Sequence, residues 1–215
     1  HWSAGSGTLD QAKELRDAAD KHGVNIATLW SMPSGRTVWN FVEGPTTIGL
    51  VPPETRAMRV QVLKRASDFA RRLGAPSVTT HVGFLPENPN DPLYIDTVEA
   101  LKDVAAYCAG NGQLFCFETG QETPITLLRT IQDVGAGNLG INLDPANLIL
   151  YGKANPVDAL DIIGAYVRGV HAKDGIYPTD GRKLGQEKPL GQGRVDFPAL
   201  LAKLIGLGYT GALTI

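Results

Sequence analysis

Six times along the 215-residue chain a helix pattern gives way to a short apolar run, and this alternation restricts the fold more than any other feature. Leu9, Ala12, Leu15 and Ala19 fall at helical spacing in the segment Leu9 to His22, Gly23 stops it, and the β-rich run Val24 to Trp30 follows. The long helix pattern Pro52 to Gly74 leads to Ala75 to Phe84, Ile95 to Ala109 to Gln113 to Glu118, and Pro124 to Val134 to Leu139 to Asp144. Pro156 to Ala165 leads to Val167 to Ala172, and Phe197 to Gly206 to Gly211 to Ile215. Strands that alternate with helices and are apolar on both faces form a parallel sheet covered by helices. Six strands are read in this way, with the first few residues a candidate seventh, in a single domain over residues 1–215.

Two parallel architectures fit such a pattern. A doubly wound nucleotide fold needs a Gly-rich fingerprint at a strand-to-helix turn, and "GQGRVDF", Gly191 to Phe197, follows a loop instead. Polar residues gather at the ends of successive strands, where a (β/α)8 barrel builds its active site. The expected fold is therefore a (β/α)8 TIM barrel. The segment Ser31 to Pro53, rich in Gly, Pro and Thr, is a long strand-to-helix loop on that side, either a lid or an ordered surface excursion.

Several classes of partner are disfavoured. A net charge of −2 supplies no basic field for nucleic acid or an anionic membrane, and no apolar run is long enough to span a bilayer. Cys108 and Cys116 lack metal-knuckle spacing and disulfide-scaffold density, so both are read as buried thiols. No signal-peptide pattern is visible, and a cytoplasmic location is the expectation.

Three successive strands end in metal-binding side chains: Glu118 in "FCFETG", Asp144 in "GINLD" and His171 in "RGVHAKD". In a parallel barrel all three project from one rim. Any one of them alone is more often a helix cap, a lysine partner or a rim histidine. Together, two carboxylates and an imidazole make a mixed oxygen and nitrogen site for one divalent ion, Mn, Mg, Co or Zn. Such an ion offsets the cost of placing Asp144 at the end of an apolar strand.

With "FETG", "NLDPAN", "GVHAKDG" and "PLGQGRVDFPALLAKLIGLGYTGALTI", the chain resembles the xylose isomerase-like TIM-barrel superfamily of sugar and sugar phosphate isomerases and epimerases. The resemblance implies that Glu118, Asp144 and His171 are metal ligands on strands five to seven. It also implies a fourth ligand, a glutamate ending strand eight, one residue beyond Ile215. Full members carry eight strands, so the chain is expected to cover about strands 2/3 to 8 of a longer polypeptide. The implied activity is divalent-metal-dependent isomerisation or epimerisation of a carbohydrate, by proton abstraction next to a carbonyl through an enediolate. Glu118 would be one acid/base, and a homo-oligomer is expected from the resemblance alone.

Further candidates surround these ligands. Asn147 stands where many such epimerases have a histidine; an amide orients a hydroxyl but does not shuttle a proton, and helix capping is the competing role. His81 in "TTHVGF", Lys173 and Trp30 are candidate substrate-binding residues at strand ends, and Arg194 in the "GQGR" loop is a candidate for an anionic group. Asp174 either orients His171 or caps a turn. A lyase or dehydratase acting on a keto-sugar or keto-inositol with the same metal is the alternative function. An endonuclease IV-like repair enzyme is disfavoured, because only four histidines are present and Asn147 replaces a required one. A non-catalytic metal-binding barrel is the remaining reading.

Overall fold

The computed structural model describes residues 7–31 and 34–215; the candidate seventh strand at the first few residues lies outside them. The elements are α1 (Leu9–Lys21), β1 (Leu29–Trp30), α2 (Gly44–Thr47), α3 (Pro53–Leu73), β2 (Ser77–Thr80), α4 (Pro92–Gly110), β3 (Leu114–Glu118), α5 (Pro124–Val134) and β4 (Leu139–Leu143). There follow α6 (Pro145–Leu150), α7 (Pro156–Ile163), a 3-10 turn (Gly164–Tyr166), β5 (Val167–His171), β6 (Asp174–Ile176), β7 (Gln186–Lys188), α8 (Phe197–Gly206) and β8 (Leu213–Thr214).

Six parallel strands pair in the order β1-β2-β3-β4-β5-β8. The sheet curls as a TIM-barrel segment does: one cavity of about 30 Å³ touches Thr28, Thr79, Cys116, Asn142, Arg168 and Thr214, drawn from strands across its whole width. Helices α3, α4, α5 and α7 bury leucine, isoleucine and valine against it, including Leu63, Leu101, Leu127 and Leu160. Each such side chain contributes about 1.5–3 kcal/mol on burial. Every residue of β2 and β4 is buried, as expected of strands covered on both faces.

Local signals set the boundaries. Thr8 and Gln11 form a reciprocal capping box on α1. Gly74 and Gly135 end α3 and α5 in the left-handed conformation. Cys108 and Cys116 are buried free thiols, raised by that burial to about 11 and about 12.

Several strands are shorter than the sequence implies. Val24 to Trp30 contributes only Leu29–Trp30 as regular strand, and among the described residues β1 pairs with β2 alone. Within Ala75 to Phe84 only Ser77–Thr80 is strand. The chain then turns away at Gly83, whose φ of 107° suits glycine. Three elements are additional: α2 inside the long loop, the six-residue α6, and an antiparallel hairpin of β6 and β7.

Candidate metal centre

β3, β4 and β5 lie side by side and parallel, so their C-terminal ends deliver Glu118, Asp144 and His171 to one rim. One ligand atom from each lies within 4.8 Å of the other two. Nδ1 of His171 is 3.0 Å from Oε1 of Glu118 and 3.4 Å from Oδ2 of Asp144. Asn142, the register partner of Glu118 on β4, donates its side-chain N–H to Oε2. Gly169 lies beside Asn142 on β5, where a Cβ would meet the amide oxygen.

Asp144 is fully buried and ends its strand by capping the next helix. Oδ1 accepts the N–H of Asn147 at 2.9 Å, whereas Oδ2 has no hydrogen-bond partner. Burial is the main reason that its carboxyl rises to about 6; neighbouring Glu118 also raises it, while Lys173, the Asn147 N–H and His171 pull it down. His171 rises, first through its hydrogen bond to Glu118. A buried carboxylate oxygen without a donor, beside a second carboxylate and an imidazole, is a donor set suited to a divalent cation. The residues fit such an ion.

A cleft of about 320 Å³ surrounds these three groups. Trp30, His81, Asn147 and Lys173 line it, so four of the five other candidates from the sequence converge there. Arg194 does not: it is exposed, its backbone N–H binds the carbonyl of Gly175 at 2.7 Å, and it lies outside the cleft lining. The amide of Asn147 donates to the carbonyl of Thr119 at 3.2 Å. His81 is buried, its Nδ1 lacks a hydrogen bond, and burial lowers it to about 4, so it is a neutral imidazole. Trp30 and Trp39 both meet its ring edge to face, at 6.0 and 4.9 Å.

Lys173 is shared between Oδ2 of Asp144, at 3.5 Å, and Oε2 of Glu187, at 2.8 Å. Burial lowers the ammonium pKa, but the two carboxylates outweigh burial and leave it raised. Asp174 neither touches His171 nor faces the cleft. Its buried carboxylate accepts the backbone N–H groups of Gly175, Gly191, Gly193 and Val195 at 2.8–3.1 Å. Burial pushes that carboxyl up, and the four donors more than reverse the shift. Gly193 is required there, since a Cβ would collide with the carboxylate.

Trp39, Tyr151, Leu184 and Glu187 also line the cleft and were not singled out from the sequence. Trp39 carried the one available signal, an aromatic residue in a long loop on the active-site side. Glu187 carried none, because its position depends on the β6–β7 hairpin.

A family model described as xylose isomerase-like TIM barrel matches residues 5–215. The crystal structure of a xylose isomerase domain protein from Planctomyces limnophilus is 41% identical, with a TM-score of 0.92 over 97% of this chain and 76% of that one. A xylose isomerase-like TIM-barrel protein from Mycobacterium smegmatis, in complex with magnesium, is 20% identical, with a TM-score of 0.71 over 97% of this chain and 72% of that one. A D-tagatose 3-epimerase-like protein is 23% identical, with a TM-score of 0.74 over all of this chain and 80% of that one. Other sugar epimerases and a probable 3-DHS dehydratase share the fold at lower identity. A curated relative, an uncharacterized protein from Methanocaldococcus jannaschii, is 26% identical over 171 residues; the match spans 74% of this chain and 57% of that protein. Among the described residues, no helix is long and apolar enough to cross a membrane.

Proposed function

We propose, from the premise that this chain belongs to the xylose isomerase-like TIM-barrel family, that it carries a divalent-metal site of a sugar isomerase or epimerase. One observation carries the reading: Glu118, Asp144 and His171 converge within 4.8 Å at the rim of the sheet, and the buried Oδ2 of Asp144 has no hydrogen bond. The epimerase and dehydratase folds found by comparison support a sugar-modifying enzyme. The magnesium complex of a family relative supports a divalent ion.

Glu118, Asp144 and His171 would hold the ion, and it would supply Lewis acidity toward a substrate carbonyl and the neighbouring hydroxyl. Glu118 is one acid/base, the group that takes the proton next to that carbonyl, and Asn142 fixes its second oxygen. Asn147 and neutral His81 orient hydroxyl groups. Trp30 and Trp39 offer apolar faces to the C–H side of a sugar ring or chain.

A bound divalent ion offsets two of the cleft's carboxylate charges, so the preference for an uncharged sugar over a sugar phosphate rests on Lys173 being already paired. Glu118, Asp144 and Glu187 supply three carboxylates, and the ammonium of Lys173 is engaged by two of them. Elimination from a keto-sugar is the second reading, since it begins with the same proton abstraction and the comparisons include a probable dehydratase.

The deciding experiment loads the natural full-length protein with Mn²⁺ and follows a ketose panel in D₂O by NMR. Exchange of the proton next to the carbonyl, with carbon skeleton and hydroxyl count retained, is expected. Loss of water from the sugar would assign the lyase instead. Absence of both reactions from metal-loaded protein across the panel would refute the enzyme reading.

A further inference from the structure

Trp39 reaches the cleft through a residue that lines no part of it. Arg59, on α3, is 2% exposed, and its guanidinium faces main-chain carbonyls of the loop that leads into that helix. Nε donates to the carbonyl of Ser34 at 3.1 Å, Nη1 to Gly49 at 2.7 Å, and Nη2 to Arg36 at 3.2 Å and Thr47 at 2.8 Å. A guanidinium makes this arrangement because its donors are fixed in a plane and diverge.

The clamp connects to Trp39 by short steps. Thr47, whose carbonyl Arg59 holds, accepts the N–H of Val38 on its hydroxyl at 3.1 Å, and Val38 precedes Trp39. Asn40, which follows Trp39, accepts three successive N–H groups, from Val42, Glu43 and Gly44. At the far end of the loop, Gly49 has a φ of 71° and lies so close to Val82 that a Cβ would overlap its carbonyl. Leu50 donates to that carbonyl at 2.7 Å. Residues 34–50 are therefore tied at both ends and at the centre, as a wall is and a swinging lid is not.

We propose that Arg59 is a positioning residue: it holds the main chain of residues 34–49 from behind and so sets Trp39 against His81 as a fixed wall of the cleft. The wall's role as a sugar-facing surface rests on the function proposed above. The clamp itself does not.

The test uses natural full-length protein labelled with 5-fluorotryptophan, with the ¹⁹F lines assigned by single Trp→Phe variants. In Arg59→Lys the buried charge stays, but one ammonium does not span four separated carbonyls. The Trp39 line should shift and broaden while the Trp30 line stays in place and bound Mn²⁺ per chain is unchanged. KM for the sugar should rise about tenfold with little change in kcat. An unmoved Trp39 line in folded Arg59→Lys would overturn the proposal. Should Arg59→Lys not fold, the wild-type Arg59 Nε–H resonance decides: slow exchange with solvent upholds the clamp, and exchange as fast as that of a free arginine overturns it. A shifted Trp39 line in a protein that binds no metal and exchanges no ketose proton would uphold the clamp and refute only the sugar reading.

Discussion

Oδ2 of Asp144 lies 3.4 Å from Nδ1 of His171 with no hydrogen bond to it, while Oδ1 of the same carboxylate caps α6 through Asn147. The two oxygens therefore sit in different environments, and the proposed ligand is the one that makes no cap. In Asp144→Asn the amide oxygen can still cap the helix, but the anionic ligand is gone. Metal affinity should fall at least ~10-fold, and the metal-free variant should melt no lower than metal-free wild type near pH 7, since a buried charge has been removed. Elemental analysis and thermal melts check this; wild-type metal content in the variant would contradict it.

Glu122, in the buried turn after β3, sets a pH dependence. Burial is the dominant cause that raises its carboxyl from 4.5 to about 7, against backbone N–H groups and Lys153 that pull it down. The folded chain thus holds a proton that the unfolded chain loses near 4.5. This contribution is complete below about pH 4.5 and is lost as pH rises through 7, a difference on the order of 3 kcal/mol. Urea titrations at pH 5 and pH 8 should show a smaller loss of stability in Glu122→Gln than in wild type. Equal losses would count against the assignment.

Asp174 holds the loop after β7 through three backbone N–H groups, from Gly191, Gly193 and Val195, and accepts a fourth from Gly175. Asp174→Ala leaves those donors without an acceptor and should cost at least ~3 kcal/mol. It should also free the hairpin that carries Glu187 to Lys173. Urea unfolding reports the first effect and limited proteolysis between residues 177 and 195 the second. A resistant, fully stable variant would show that the loop has other anchors.

A ketose should exchange its proton at least ~10-fold more efficiently, in kcat/KM, than its phosphate ester, because cleft carboxylates already occupy Lys173. Glu187→Gln releases one of those carboxylates and should narrow the ratio. Paired kinetics on D-fructose and D-fructose 6-phosphate would measure it, and preference for the ester would overturn the charge argument.

Much of this architecture was legible in local sequence. Gly74 ends α3 as its position implies, α8 covers Phe197 to Gly206 as its pattern implies, and Glu118, Asp144 and His171 meet because their strands are neighbours in the sheet. At Asp144 the helix cap is made by one oxygen, Oδ1, while the other, Oδ2, has no hydrogen bond. Trp39 and Glu187 were not legible, for a common reason. Each sits in a segment with no periodicity, whose path is set by contacts distant in sequence: Arg59 to the carbonyls of residues 34–49, and Asp174 to the amides of residues 191–195. β1 was over-read because β-branched content reports propensity, whereas strand length depends on a paired neighbour on each side.

Among the described residues, the Arg59 guanidinium hydrogen-bonds to carbonyl oxygens, and every amino acid has one. The loop can therefore exchange the side chains at 34 and 36 without removing the acceptors that fix its course, whereas Thr47 also holds Val38 through its hydroxyl and Gly49 is bound by its conformation. A lineage, or a mutant library, could vary the cleft's lining at and around Trp39 while inheriting the same backbone path. The cleft lining would then drift independently of the scaffold, and the position to leave untouched when redesigning it is Arg59, which lies outside that lining.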